Sequence, residues 1–142
     1  MANQASNRIK YLLATKAIDF ANDQFKVILM QAGFVFDKDA HEEYADVSGN
    51  ELATANGYTQ KAKILVLTAP PVEDDVDDRC EIAFNAVSWT AALGSIGPTD
   101  GAIIIDETVA NDPIVGYLDF GASYTQADGG VLTLSALEVR IS

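Results

Sequence analysis

Cys80-Glu81-Ile82-Ala83-Phe84-Asn85 decides the fold class. Apolar side chains at 80, 82 and 84 alternate with Glu81 and Asn85, and a period of two puts them on one face of an extended strand. Leu137-Glu138-Val139-Arg140-Ile141 repeats the pattern, with Leu137, Val139 and Ile141 on one face and Glu138 and Arg140 on the other. This run is expected inside a sheet. Between and before these two lie Ile64–Thr68, Val87–Thr90, Ala102–Asp106, Ile114–Phe120 and Val131–Ser135, each of strand length and bounded by Gly, Pro, Asn or Asp.

The front of the chain reads differently. Ser6 or Asn7 caps a short helix in which Ile9, Leu12 and Leu13 recur at helical spacing, and a turn through Asp19–Asp23 follows. Gln24–Gln31 carries apolar residues on both faces, which predicts a central strand. Ala32–Gln60 reads as a long surface excursion with one helical turn near His41–Tyr44. Pro70-Pro71 stops a strand, Gly94–Gly101 reads as a flexible connection, and Asp128-Gly129-Gly130 reads as a hairpin tip joining Ala122–Gln126 to Val131–Ser135.

The expected fold is mainly β: one domain over residues 1–142, an antiparallel β-sandwich of jelly-roll or immunoglobulin-like type with one short N-terminal helix. The expected inward set is Phe25, Val27, Leu29, Leu65, Leu67, Ile82, Phe84, Trp89, Ile103, Leu118, Leu132 and Leu134. Residues 1–7 are too poor in apolar side chains to fold onto such a core, and are expected as a flexible or partner-ordered arm.

Composition bounds the function. Nine Lys and Arg against 21 Asp and Glu give a net charge of −12, which repels nucleic-acid phosphates and anionic membrane faces. Direct nucleic-acid and membrane partners are therefore not expected. If many copies sit side by side, apolar contacts or cations must offset the repulsion. Met1–Asn7 is polar and the next apolar stretch is broken by Lys10 and Lys16, so no signal peptide is read and the protein is expected in a cytoplasm. The single Cys80 excludes an internal disulfide and is expected as a buried thiol.

No residue set assembles into a reaction centre, so the expectation is a protein without catalytic, metal or cofactor-binding residues. Glu73, Asp74, Asp75, Asp77 and Asp78 are the most site-like group, since hard cations take several carboxylates from one loop. They lack the spacing, turn glycine and closing Glu of a calcium-binding hand, and a solvated loop partly neutralised by Arg79 is expected. His41, the only histidine, lies among Asp39, Glu42 and Glu43 and is expected exposed; with the acidic loop it would be the core of a metal-dependent hydrolase, the reading ranked last. Ser48, Ser88, Ser95, Ser123 and Ser135 lack a nucleophile elbow, and Gly94-Ser95-Ile96-Gly97 lacks the ending of a phosphate-binding loop. Trp89 with Tyr11, Tyr44, Tyr58, Tyr117 and Tyr124 offers material for a sugar-stacking platform, although Trp89 and Tyr117 sit on strands where core packing is the ordinary use.

Several pieces, read in order, resemble small structural proteins of tailed-bacteriophage virions. They are the helix ending in Leu12-Leu13-Ala14 and Ala17-Ile18-Asp19, the strand Phe25-Lys26-Val27-Ile28-Leu29, then Asp37-Lys38-Asp39-Ala40-His41 and Asp46-Val47-Ser48-Gly49-Asn50-Glu51-Leu52. Gly57-Tyr58-Thr59, Val87-Ser88-Trp89 and Gly116-Tyr117-Leu118-Asp119-Phe120-Gly121 complete the series. The resemblance implies no catalytic residue. It implies a capsid decoration or cement protein, a homo-oligomer bound to the major capsid protein or other virion structural proteins, assembled in the host bacterial cytoplasm and located on the virion. A tail or fibre-base component and a carbohydrate-binding host-attachment module are the alternatives.

Overall fold

Residues 2–142 are described here from a computed structural model. The strands are β1 (Ala2–Ala5), β2 (Phe25–Gln31), β3 (Lys63–Leu65), β4 (Val72–Asp74), β5 (Arg79–Phe84), β6 (Val87–Thr90), β7 (Ile96–Asp106), β8 (Ile114–Gln126), β9 (Val131–Leu134) and β10 (Leu137–Ile141). Two short helices, α1 (Asn7–Ala14) and α2 (Tyr44–Val47), complete the elements used below. The protein is mainly β and its strands pair antiparallel, in a five-stranded sheet β1-β8-β7-β2-β3, a three-stranded sheet β10-β5-β4 and the pair β6-β9.

The five-stranded sheet is apolar on both faces. On one face Phe25, Val27, Leu29, Ala102, Ile104 and Leu118 share a core with Ile82 and Phe84 of β5, Leu137 and Val139 of β10, and Trp89 and Leu134 of the β6-β9 pair. On the other, Ile28, Met30, Ile103, Ile105, Ile114 and Tyr117 are covered by Val47 and by the partly buried Phe34, Phe36 and Tyr44. The run Ile103-Ile104-Ile105 is buried throughout, as β-branched residues at the centre of a two-sided sheet must be. The expected inward set is therefore divided: Ile103 belongs to the second face, and Leu67 and Leu132 are only half-buried at the rim of the first.

Several expectations are corrected. The segment read as a flexible or partner-ordered arm over residues 1–7 is ordered by its own chain, with Ala2–Ala5 a strand paired with Gly116–Asp119 of β8; Met1 lies outside the described residues. Backbone pairing, which does not require apolar side chains, holds it there, and the next residue anchors it. Ser6 is fully buried, its hydroxyl donates to the Ile114 carbonyl (2.5 Å) and accepts the Ile9 N–H (3.1 Å), so one side chain caps α1 and ties it to the sheet. Gly94–Gly101 is not a flexible connection: from Ile96 onward it is the first half of β7. Asp128-Gly129 does form a turn, but β8 and β9 do not pair; β8 runs beside β7 and β9 beside β6. The helical turn expected near His41–Tyr44 begins at Tyr44, where Glu43 and Asp46 form a reciprocal capping box.

Candidate interaction surfaces

The excursion between β2 and β3 builds an aromatic cluster on the outer face of the sheet. Gly33 (φ +85°) turns the chain and donates its N–H to Asp100 Oδ2 (2.8 Å), which sets Phe34-Val35-Phe36 across β8. Phe36 stacks on Tyr117 (centroids 5.4 Å apart, planes 22°), and Phe34 meets the same ring edge-on at 5.8 Å. The Tyr117 ring lies against Gly101, where a side chain would collide with it.

His41 is not an exposed side chain. It is half-buried, with its ring 5.3 Å from that of Phe34 and 5.7 Å from that of Phe36. Its Nδ1 accepts the Asp37 N–H (3.0 Å), so the neutral ring carries its proton on Nε2. This imidazole is packing material for a loop. Beside the cluster lies a groove of about 560 Å³, lined by Asn3 and Gln4 of β1, Phe34, Val35, Phe36, Tyr117 and the exposed Asp119. Burial, with the charges of Asp100 and Asp119, pushes the Tyr117 hydroxyl up to about 12. Asp100 Oδ1 is buried without a hydrogen-bond partner.

The acidic residues of 73–78 lie at the end of the β4-β5 hairpin, and Arg79 holds two of them, Asp74 and Asp77. Its guanidinium reaches Glu81 (2.6 Å), Asp77 (3.0 Å) and Asp74 (3.3 Å). Arg140 on β10 adds Glu138 (2.5 Å) and Glu81 (3.8 Å), so the outward face of the three-stranded sheet is a ladder of alternating charge. Asp74 Oδ1 also accepts the Val76 and Asp77 N–H groups. Among the described residues, no three of His, Cys, Asp and Glu are arranged to hold a metal ion. Cys80, half-buried behind this loop, has its thiol pKa raised by burial and by Glu73 and Glu81.

Two buried carboxyl groups had no signature in the sequence. Glu51 is 1% exposed, and its carboxylate accepts the Tyr58 and Tyr44 hydroxyls (both 2.6 Å) and the Lys61 N–H (2.9 Å). With Leu29 N–H donating to the Tyr58 oxygen (3.0 Å), it latches the excursion onto β2. Burial and this neighbouring carboxylate push both tyrosine hydroxyls far up. Asp106, fully buried at the end of β7, accepts the Thr108 N–H (2.9 Å) through Oδ1 while Oδ2 is buried beside Asp23. Burial first, then the Asp23 carboxyl, raises its pKa to about 7.

The remaining candidates are dispersed. Ser48 lies in a 3₁₀ turn, Ser88 on β6, Ser95 before β7, Ser123 on β8 and Ser135 after β9, and among the described residues none is hydrogen-bonded to His41. Ile96 of the Gly94–Gly97 run is core. The aromatic residues do not form one platform: Trp89, Tyr58 and Tyr117 are buried, Tyr44 is half-buried in the Glu51 latch, and only Tyr11 and Tyr124 are well exposed, on α1 and β8. Comparison of the chain with family models, with curated proteins and with solved structures finds no match.

Proposed function

We propose that this protein is a non-enzymatic virion structural component of a tailed bacteriophage, a decoration or cement protein that binds the capsid lattice as a homo-oligomer. The observation that carries the assembly reading is the outer half of β8. Phe120-Gly121-Ala122-Ser123-Tyr124-Thr125-Gln126 contains no charged residue in a chain of net charge −12, and Gly121–Thr125 are all exposed. β1 begins at Ala2, opposite Asp119, so among the described residues no strand covers the outer edge of β8 along this stretch. Phe120 and Tyr124 (centroids 6.2 Å apart) border a groove of about 380 Å³ that runs along Leu132 and Leu134. An acidic protein that packs against copies of itself needs such a neutral, partly apolar contact to offset self-repulsion. The order of motifs resembling virion proteins supplies the setting, and the fold class we attach to it is a jelly-roll or immunoglobulin-like sandwich.

Purified particles test the reading. The expected outcome is this protein on heads at a copy number comparable with the shell protein, with Tyr124→Asp lowering both oligomerisation and occupancy. A few copies at one vertex favour the tail or fibre-base alternative. Glycan binding by a protein absent from particles favours the carbohydrate module. A protein that is monomeric and absent from particles sinks the proposal.

A further inference from the structure

The outer edge of β1 runs between two grooves of opposite character. Ser6 N–H donates to the Val115 carbonyl (3.1 Å), so with Ala5 opposite Gly116 the antiparallel alternation makes Gln4 the next residue hydrogen-bonded to β8. Asn3 and Ala5 then turn their N–H and C=O groups away from the sheet, and these have no backbone partner among the described residues. On the outer face lies the groove of Phe34, Phe36, Tyr117 and Asp119, which holds a carboxylate and no cation. Between β1 and β10 lies a second groove of about 540 Å³ that Asn3, Gln4 and Ala5 also line, together with Lys10, Lys38, Arg79, Arg140 and Asp77. Arg79 and Arg140 are engaged there by Asp74, Asp77, Glu81 and Glu138, and the exposed Lys38 pairs with its neighbour Asp39, so Lys10 and Lys38 are the cations least held by the sheet.

We infer that β1 is the docking edge for an extended arm of a partner protein whose side chains alternate between cationic and anionic. A strand added to this edge presents successive residues to opposite faces. One set, arginine or lysine, enters the aromatic groove, where ring faces and Asp119 receive a cation. The other set, aspartate or glutamate, meets Lys10 and Lys38. The backbone groups of Asn3 and Ala5 supply affinity, and the charge pattern supplies register and choice of partner. The inference names a partner for the assembly reading and rests on it only in taking that partner to be a protein. The half-buried carboxylate of Asp100, whose Oδ1 has no hydrogen-bond partner, adds to the negative potential behind Tyr117.

The probe is a labelled, end-blocked peptide of alternating Arg and Glu, compared with its block isomer in which all Arg precede all Glu. Composition and net charge are equal, so attraction to an acidic protein cancels. Fluorescence anisotropy should show the alternating peptide binding at least fivefold tighter. Asn3→Pro removes an outward N–H without touching a β1-β8 bond, and should abolish that preference. Asp119→Asn keeps the acceptor for Gly121 N–H (2.8 Å) and should reduce it severalfold, whereas Asp75→Asn, the same charge change on the hairpin tip, should leave it unchanged. Equal affinity for the two peptides, no binding of either, or a preference indifferent to Asn3→Pro overturns the inference. None of these outcomes depends on whether the protein is found on particles.

Discussion

Replacing Asp106 by Asn should stabilise the protein at neutral and alkaline pH and leave it nearly unchanged at acidic pH. The native carboxyl is fully buried, one oxygen has no hydrogen-bond partner, and its pKa stands at about 7. The folded state therefore holds a proton that the unfolded chain releases near pH 4. The stability conferred by that proton is fully present below about pH 4 and is lost as pH rises to about 7, above which the folded protein carries a buried carboxylate beside Asp23. Three pKa units at about 1.4 kcal/mol each set a ceiling of about 4 kcal/mol. Movement of the half-exposed Asp23 toward water relieves part of this, so about 2 kcal/mol is the working figure. Asparagine keeps the Oδ1 acceptor for the Thr108 N–H and offers Asp23 a donor. Urea unfolding of both proteins from pH 5 to pH 9 is the assay, read as the difference between them so that other titrating groups cancel. A difference that does not grow with pH, or a variant less stable than wild type at pH 8, would refute the reasoning.

Truncating Phe84 to Ala, which removes a ring 5.7 Å from that of Phe25 at the junction of both layers, should cost about 3–5 kcal/mol in chemical denaturation. Glu51→Ala leaves two tyrosine hydroxyls and the Lys61 N–H without their acceptor and should cost about 3 kcal/mol, against about 1 kcal/mol for Glu51→Gln; equal losses would mean that the carboxylate is not the latch. Deleting Ala2–Ser6 removes the β1 pairing and the α1 cap, and should lower stability by at least about 2 kcal/mol, which a melting curve would show. Exchanging Asp75 and Asp77 for Asn should leave the melting temperature within a degree or two with chelator or with calcium, since Arg79 already holds Asp74 and Asp77 and no three carboxylates of the loop are arranged to take a cation; a large calcium-dependent rise that these changes abolish would overturn it.

What could be read in advance depended on how local the signal was. β6 and β10 match their sequence bounds because period-two alternation is written in the strand itself, and α1 was visible in Ser6 and the spacing of Ile9 and Leu12. β1 was not, because Ala2-Asn3-Gln4-Ala5 has no apolar face and becomes a strand only when β8 supplies the ladder. The same reasoning explains Gly94–Gly101, where Gly and Pro suggest a loop and a neighbouring strand overrides them. The surfaces were harder still. Phe34, Phe36 and His41 read as an irregular stretch, and nothing local announces that Tyr117, some eighty residues on, lies beneath them. Glu51 and Asp106 look like any surface acid; only the chain's path buries them.

The hydroxyl of Ser6 bonds to a carbonyl 108 residues further along, which imposes an order on biosynthesis. At about 5–20 residues per second, the first strand leaves the ribosome roughly 5–20 s before β8 exists to receive it. Through that interval α1 has its cap but no anchor, and the edge that β1 will cover has not been made. The five-stranded sheet therefore closes late, when β8 joins β1 to β7, and contacts of such long separation make folding slow. A nascent chain stalled before residue 114 should accordingly be cleaved readily at its N-terminal segment, whereas the released protein should resist.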